Sequence, residues 1–425
     1  MSFRETVLIS SQSEPLVIIG ASHAGTHLAM AAREQGFDGP IVLIGDEPHA
    51  PYHRPPLSKG MLTGKTGIDQ LALYGPDFYV AQRIELRIGQ RATALDPATR
   101  HVRLADGSSL KYGWLALATG ARCRPLRVPG ADLQGVYQLR TLDDALAVRQ
   151  RLAYCSSVCI IGGGFIGLEV AAALNSVGTR VTVVESQTRL LARAFPEFMS
   201  DYVATAHRRR GVSLELGCSV RELLGCESTV EAVRLDDGRT LDCDLVLVGI
   251  GVLPNTELAE AAGIRCGDGI LVDALGRTSA PRVLAVGDVA NMAQPASVGK
   301  SIRMRFESIQ AASDGARAAA SVLVDRPQPL SAVPWFWSEQ HDLKFQMAGM
   351  AAHGDQLVLR GEPASDRFTA FYLRDGAVAA AHSINRPADH MLARKLISQR
   401  ARIPVETLSD LKADLKPFVD TSRAA

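Results

Sequence analysis

No apolar run in this 425-residue chain reaches the roughly 18 residues that a membrane-spanning helix needs. The longest candidates, such as the stretch from Leu245 to Pro254, are short and carry glycines. The N-terminal MSFRETVLISSQSEP lacks a basic segment followed by a long apolar one, so no secretory signal is expected. Charge of either sign in excess is also missing: Lys+Arg 46 against Asp+Glu 45 leaves a net +1. That excludes nucleic-acid binding by wholesale phosphate neutralisation, though local basic patches stay open. Cysteine is sparse, with seven scattered residues. The closest pair, Cys155 and Cys159, has neither redox nor zinc-site spacing. Reduced thiols in a cytoplasmic protein are therefore expected.

What is present is apolar sequence, 47% of residues, with 37 glycines and 21 prolines. At roughly 150 residues per domain the length suggests about three domains. Two segments resemble each other. Leu16 to Gly25 runs as apolar strand and glycine turn into a helix pattern from Thr26 to Gln35, then a second apolar run, Ile41 to Ile44, ending in Asp46. Val158 to Gly167 repeats the plan, with a helix pattern from Leu168 to Val177 and a strand ending at Glu185. Each is a βαβ unit. Later apolar strands, Trp114 to Gly120 and Leu245 to Gly251, close the two units, and Leu284 to Asp288 adds another strand with an acid at its end. Asp106-Gly107 and Asp237-Gly238 predict hairpins. From Pro327 the texture changes to a strand-rich stretch with Asp375-Gly376 and a closing basic helix, read as an α+β domain.

Gly162-Gly-Gly164-Phe-Ile-Gly167 satisfies the dinucleotide fingerprint in full. Gly162 permits the tight turn, Gly164 the approach of a pyrophosphate, and Gly167 close helix packing. The helix N-terminus offers unpaired N–H groups to the phosphates. Glu185, about 20 residues on, can accept both ribose hydroxyls and repel a 2′-phosphate, which favours NADH. Arg189 weakens that preference. The first fingerprint, Gly20 to Gly25, carries Ser22 in place of its second glycine. Two dinucleotide sites in one chain point to electron transfer between a bound flavin and an exchangeable nicotinamide.

His53-Arg-Pro-Pro-Leu-Ser-Lys59, Ala118-Thr-Gly120, Gly249 to Asn255, Ala285-Val-Gly-Asp288 and Trp335-Phe-Trp-Ser338 occur in this order. With the glycine turns, they resemble the FAD-dependent ferredoxin reductases of bacterial cytochrome P450 and Rieske-type oxygenase systems, over about Leu16 to Pro404. The resemblance implies an α/β, glutathione-reductase-like fold with two Rossmann-like dinucleotide-binding domains and a C-terminal α+β domain. The FAD domain would comprise residues 1–121 and 248–327, interrupted by an NAD domain at 122–247, with the last domain at 328–425.

It also implies site residues. Ala24 (with Gly20 and Gly25) would lie at the FAD pyrophosphate, Asp46 at the adenosine ribose and Ala92 by the adenine. Lys59 would lie beside the flavin, Arg140 near the isoalloxazine or its phosphate side, and Asp288 at a ribityl hydroxyl. Ile309 would offer its N–H to the N1–C2 carbonyl edge. That last contact has its own physical reason: Ser308 is a plausible N-cap for a helix from Ile309 to Val324, whose positive end stabilises an anionic reduced flavin. Trp337 would shield the ring. Lys59 and Glu169 would meet near flavin N5 and the nicotinamide, although alone each reads as a solvated lysine and a helix-starting acid. His23, His27, His49 and His53 match no zinc spacing, so no metal is expected.

The disulfide reductases of this fold class carry a dithiol beside the flavin, and the segments after both glycine turns contain none. The expected function is therefore NADH:ferredoxin oxidoreduction, with hydride passing to FAD and single electrons to a [2Fe–2S] ferredoxin feeding a P450 or Rieske oxygenase. Such ferredoxins are acidic, so a basic docking face is expected from Arg386, Arg394, Lys395, Arg400 and Arg402, with Arg303 and Arg305 as further candidates. A solvated helix face is the competing account of the same charges. A monomer or weak homodimer is expected. Rubredoxin reductase, NADH oxidase and a redox-sensing interaction protein like apoptosis-inducing factor are the alternative functions on this scaffold.

Overall fold

The computed structural model describes residues 14–293 and 303–419. The first 13 residues, which carry nearly all of the stretch tested for a secretory signal, lie outside them. The first βαβ passage is β1 (Leu16–Ile19), α1 (His23–Glu34) and β2 (Ile41–Ile44), closed by β3 (Trp114–Leu117). The second is β4 (Ser157–Ile161), α2 (Phe165–Asn175) and β5 (Arg180–Glu185), followed by α3 (Glu197–Arg209) and closed by β6 (Leu245–Val248). Beyond them come β7 (Val283–Ala285), α4 (Ile309–Leu323), β8 (Trp335–Gln340) and α5 (Pro387–Ser398).

The chain forms two compact units. The first comprises residues up to Tyr52, Ala72–Ala121 and Pro254–Leu330. Its five-stranded parallel sheet runs β7-β3-β1-β2 and then Ile84–Arg87. Every residue of β1 and β2 is buried, as a parallel sheet covered on both faces requires. On one face α1 and α4 pack through Leu28, Ala29, Ala32, Ala316 and Ala319. On the other, Val17, Ile19, Leu115 and Leu117 join Leu95 and Val102 from a small antiparallel sheet.

The second unit comprises His53–Leu71, Arg122–Leu253 and residues from Ser331 onward. Its parallel sheet runs Ser213–Leu216, β5, β4, β6 and Val136–Gln138. In both sheets the strand before the glycine turn is central, which puts that turn at the carboxyl edge where such sheets bind ligands. The C-terminal part is a five-stranded antiparallel sheet with β8 at one edge and α5 packed on it. Asp106-Gly107, Asp237-Gly238 and Asp375-Gly376 each sit between antiparallel strands. At Asp375 and Gly376 both φ values are positive, 51° and 75°, as a tight hairpin demands. Among the described residues no helix is long and apolar enough to cross a membrane.

Both fingerprint helices begin three residues earlier than their apolar periodicity predicts, at His23 and Phe165. The glycine turns are that tight, so Ala24 and Gly25 already lie in a first helical turn, and Gly164 is an N-cap.

Candidate functional site: two glycine cradles and a buried carboxylate

The two turns use glycine for the same steric reason. Gly20 and Gly162 have φ of +116° and +112°. A Cβ there would stand 2.1 Å from the Ala118 carbonyl oxygen and 2.4 Å from that of Gly249. Gly25 and Gly167 are closed just as tightly, by the Gly20 and Gly162 carbonyls at 2.0 and 2.2 Å. Gly164 differs. Its φ of −83° suits any residue, and nothing lies within 4 Å of its absent side chain. The space a Cβ would fill opens beside the first turn of α2, where no side chain caps the helix. That is a fit for a pyrophosphate.

Glu185 stands beside this cradle. Its Oε2 accepts the Gly163 N–H at 2.7 Å and its Oε1 the Gln187 N–H at 2.8 Å, which fixes the carboxylate at the end of β5. Arg189 does not oppose it. Its guanidinium donates to the carbonyls of Phe195 and Ala192 and to the Ser200 hydroxyl, so the weakening expected from it is not built into this geometry.

In the first unit the sheet register departs from this plan. Ile19 pairs with Ile44 as Ile161 pairs with Val184, so Gly45 occupies the place of Glu185. Asp46 lies one residue beyond and is exposed. Glu47 follows, its Oε2 accepting the Tyr52 hydroxyl at 2.5 Å. Asp288 lies in a single 3-10 turn, Gly287–Val289. That turn closes on α1, because a Cβ at Gly287 would come within 2.6 Å of the Ala24 Cβ. Gly20, Ala24, Gly25 and Asp288 are thereby gathered at one end of the sheet. Ser308 caps α4 by accepting the Ala311 N–H at 3.0 Å, and Ile309 opens the helix. Ala92 begins the Ala92–Asp96 strand, paired with Leu104.

In the second unit Glu169 is 4% exposed and belongs to the second turn of α2. It is therefore no helix-starting acid; an account of it has to explain a buried charge. Lys59 Nζ lies 2.6 Å from its Oε2, and the Ser58 hydroxyl donates to the same oxygen at 2.6 Å. The Ser338 hydroxyl donates to Oε1 at 2.7 Å. Lys59 also donates to the Pro55 carbonyl at 3.2 Å, which ties the ammonium to its own proline-rich loop. Arg54 of that loop donates to the Arg140 carbonyl at 2.6 Å. The resemblance pairs Lys59 with Glu169 but does not include Ser58 and Ser338 as donors. Alternation along β8 held the signal for Ser338: Phe336, Ser338 and Gln340 share one strand face, Trp335 and Trp337 the other. Phe336 meets Phe165 of α2 with ring centroids 4.7 Å apart, so the polar residues of that face also turn toward α2.

Trp337 lies 5.6 Å from Trp335 between ring centroids. Arg394 covers the Trp335 ring at 4.8 Å, and Arg386 pairs with the buried Asp389 at 2.9 Å. Lys395, Arg400 and Arg402 are exposed. Arg305 departs from its expected docking role. Its side chain is 8% exposed, and it pairs with Glu307 and Asp268 and donates to the Asp288 carbonyl. Among the described residues no three His, Cys, Asp or Glu side chains cluster so as to hold a metal ion.

Residues 14–316 match the family described as pyridine nucleotide-disulphide oxidoreductase, and residues 335–419 the one described as reductase C-terminal. Rhodocoxin reductase of Rhodococcus erythropolis is 42% identical over 401 residues, 94% of this chain and 93% of the relative. The crystal structure of the ferredoxin reductase for the CYP199A2 system of Rhodopseudomonas palustris superposes with a TM-score of 0.92 at 41% identity, covering 96% of this chain and all of that one. The reductase in the covalent putidaredoxin reductase–putidaredoxin complex also gives 0.92, at 35% identity, covering 98% of this chain and all of that one.

Proposed function

The chain belongs to the pyridine nucleotide-disulphide oxidoreductase family, and from that premise we infer that it is an FAD-dependent NADH:ferredoxin oxidoreductase serving a cytochrome P450 or other oxygenase system. FAD, when bound, would supply the chemistry: acceptance of a hydride from NADH and release of the two electrons, one at a time, to a [2Fe–2S] ferredoxin. The observation that carries the reading is the pair of glycine cradles in one chain whose seven cysteines are all free and include no dithiol spacing. A chain with two dinucleotide cradles and no dithiol spacing has no thiol relay to which a reduced flavin could pass its electrons.

The residue roles follow. Gly20, Ala24 and Gly25 receive the FAD pyrophosphate, Asp46 the adenosine ribose and Ala92 the adenine edge. Asp288 holds a ribityl hydroxyl, and Ile309 donates its N–H at the positive end of α4, where negative charge on the reduced ring is stabilised. Arg140 and Trp337 bound the ring. Gly162, Gly164 and Gly167 receive NADH, and Glu185 selects it over NADPH. Lys59 and Glu169 orient the nicotinamide and hold charge near the reacting atoms, with no general base required. Residues 1–121 and 248–327 form the FAD domain in this reading, 122–247 the NAD domain and 328–425 the C-terminal domain.

An acidic ferredoxin docks on the exposed cations Lys395, Arg400 and Arg402, and the protein acts as a cytoplasmic monomer or weak homodimer. Anaerobic titration of the purified protein with NADH tests the core of this reading: a yellow protein should bleach at one equivalent. A protein that stays colourless when offered FAD overturns it. Ferredoxin reduction should then slow steeply between low and moderate salt. A rate indifferent to salt removes the basic face from the proposal.

A further inference from the structure

The Glu169 carboxylate is the end of a longer chain of hydrogen bonds. Ser338, which donates to its Oε1, accepts from Gln340 Nε2 at 3.1 Å. Gln340 Oε1 in turn lies 2.9 Å from His207 Nε2, on α3. Ser338, Gln340 and His207 are all 0% exposed. Bulk water reaches none of the three, so each group depends on its neighbour for its hydrogen bond.

Chemistry fixes the direction of every bond. An ionised carboxylate only accepts, so the single hydroxyl proton of Ser338 goes to Glu169. Ser338 must then accept from Gln340, which turns the amide nitrogen toward the serine and its oxygen toward His207. His207 must therefore carry its proton on Nε2. Burial lowers its pKa, which agrees with a neutral ring. Three successive donors point one way, toward the buried carboxylate, along a chain that joins three separate elements: α3, β8 and α2.

We propose that Ser338, Gln340 and His207 are positioning residues for the Glu169 carboxylate in reduction by NADH, acting as a one-way donor chain that fixes its orientation opposite Lys59. This rests on the reading of Glu169 given above. Lys59 and Ser58 grip one carboxylate oxygen from the loop side, and Ser338 grips the other. With Ser338 turned away, Oε1 is unheld and only the loop-side grip on Oε2 remains, so the plane of the carboxylate beside the nicotinamide is no longer fixed.

Gln340→Glu tests the direction of the chain with almost no change in shape. A carboxylate at 340 accepts from His207 as before but takes the Ser338 proton for itself, so the serine no longer donates to Glu169. Stopped-flow mixing of the FAD-loaded protein with NADH separates the limiting rate of flavin reduction from the apparent Kd. The limiting rate should fall about tenfold, the scale of a lost oriented contact to a charge, with Kd altered less than about threefold. In a Glu169→Gln background the same change should cost nothing further, because the group being positioned has already lost its charge. Ser338→Ala, which removes the donor with little loss of volume, should reproduce both results if Gln340→Glu does not fold.

A wild-type limiting rate in the folded single variants, or losses that multiply in the double variant, overturns the inference while leaving Glu169 in its role. A wild-type rate in Glu169→Gln alone overturns both.

Discussion

Lys59 Nζ and Glu169 Oε2 lie 2.6 Å apart, yet the two side chains are unequally buried, 22% exposed for the lysine and 5% for the glutamate. Removing one partner of a buried pair strands the other, and the penalty depends on whether the survivor can reach water. Lys59→Met leaves a carboxylate with only the Ser58 and Ser338 hydroxyls, and should cost roughly 3 kcal/mol of stability. Glu169→Gln leaves an ammonium that can turn outward, and should cost about 1 kcal/mol. Urea unfolding of both variants measures the difference. Equal losses would mean that the unequal burial does not govern the pair.

Much of this arrangement was legible in the sequence, for identifiable reasons. A parallel strand buried on both faces writes itself as an unbroken apolar run, and Leu16 to Ile19 and Val158 to Ile161 are such runs. Gly20 and Gly162 announce turns because no other residue fits their positive φ and their abutting carbonyls. Ser308 caps its helix as its hydroxyl suggests. Three features were hidden. The helix starts were masked because the first turns of α1 and α2 contain Gly25 and Gly167, pressed against the Gly20 and Gly162 carbonyls, and a glycine adds nothing to an apolar stripe. The burial of Glu169 depends on Ser58 and Ser338, which lie more than a hundred positions away on either side, and no local pattern records such a meeting. Arg305 read as a surface cation because its partner Asp268 and the Asp288 carbonyl are supplied from elsewhere in the chain.

Gly164→Val separates the fold from its ligand. The residue has ordinary extended φ and ψ, −83° and 178°, and no atom stands within 4 Å of the place a Cβ would take, so stability should fall by no more than about 1 kcal/mol, the cost of a poorer N-cap, with FAD content unchanged. The added methyls fill the approach to the first turn of α2, and the apparent Kd for NADH should rise by roughly ten- to a hundredfold. Gly162→Ala, with its Cβ 2.4 Å from the Gly249 carbonyl oxygen, should instead lower stability outright. Thermal unfolding together with an NADH titration distinguishes the two, and unimpaired NADH binding by Gly164→Val would place the pyrophosphate somewhere else.

Glu185→Ala addresses the choice of coenzyme. The carboxylate is held by the Gly163 and Gln187 amides before any ligand arrives, so it meets the ribose already oriented. Losing it should weaken NADH about tenfold, the scale of a hydrogen bond to a charged group. NADPH should gain, because the repulsion against its 2′-phosphate goes with the charge. Arg189 is committed to the Phe195 and Ala192 carbonyls and the Ser200 hydroxyl, so it should give NADPH little help, and full reversal of preference is not expected. The ratio of kcat/KM for the two coenzymes is the measurement, and an unchanged ratio would remove Glu185 from selection.

Acid should weaken the C-terminal sheet through its buried histidines. His382 is 3% exposed, lies between the Phe195 and Tyr372 rings with centroids 5.0 Å from each, and burial pushes its pKa down to about 3. His390, beside Trp335, falls to about 4 through burial and then the Arg394 charge. A lowered folded-state pKa means that the unfolded chain binds the proton more tightly. The contribution to stability is thus complete above the ordinary 6.5 and is lost as pH falls from there toward 4 and below. His382→Phe keeps an aromatic ring in the same slot and removes one titrating group. The dependence of unfolding free energy on pH between about 6 and 4.5 should become shallower by up to about 1.4 kcal/mol per pH unit. Denaturant unfolding across that range decides the matter. If the slope is the same with phenylalanine in place, the ring at 382 takes up its proton as readily folded as unfolded, and burial is not what sets its charge.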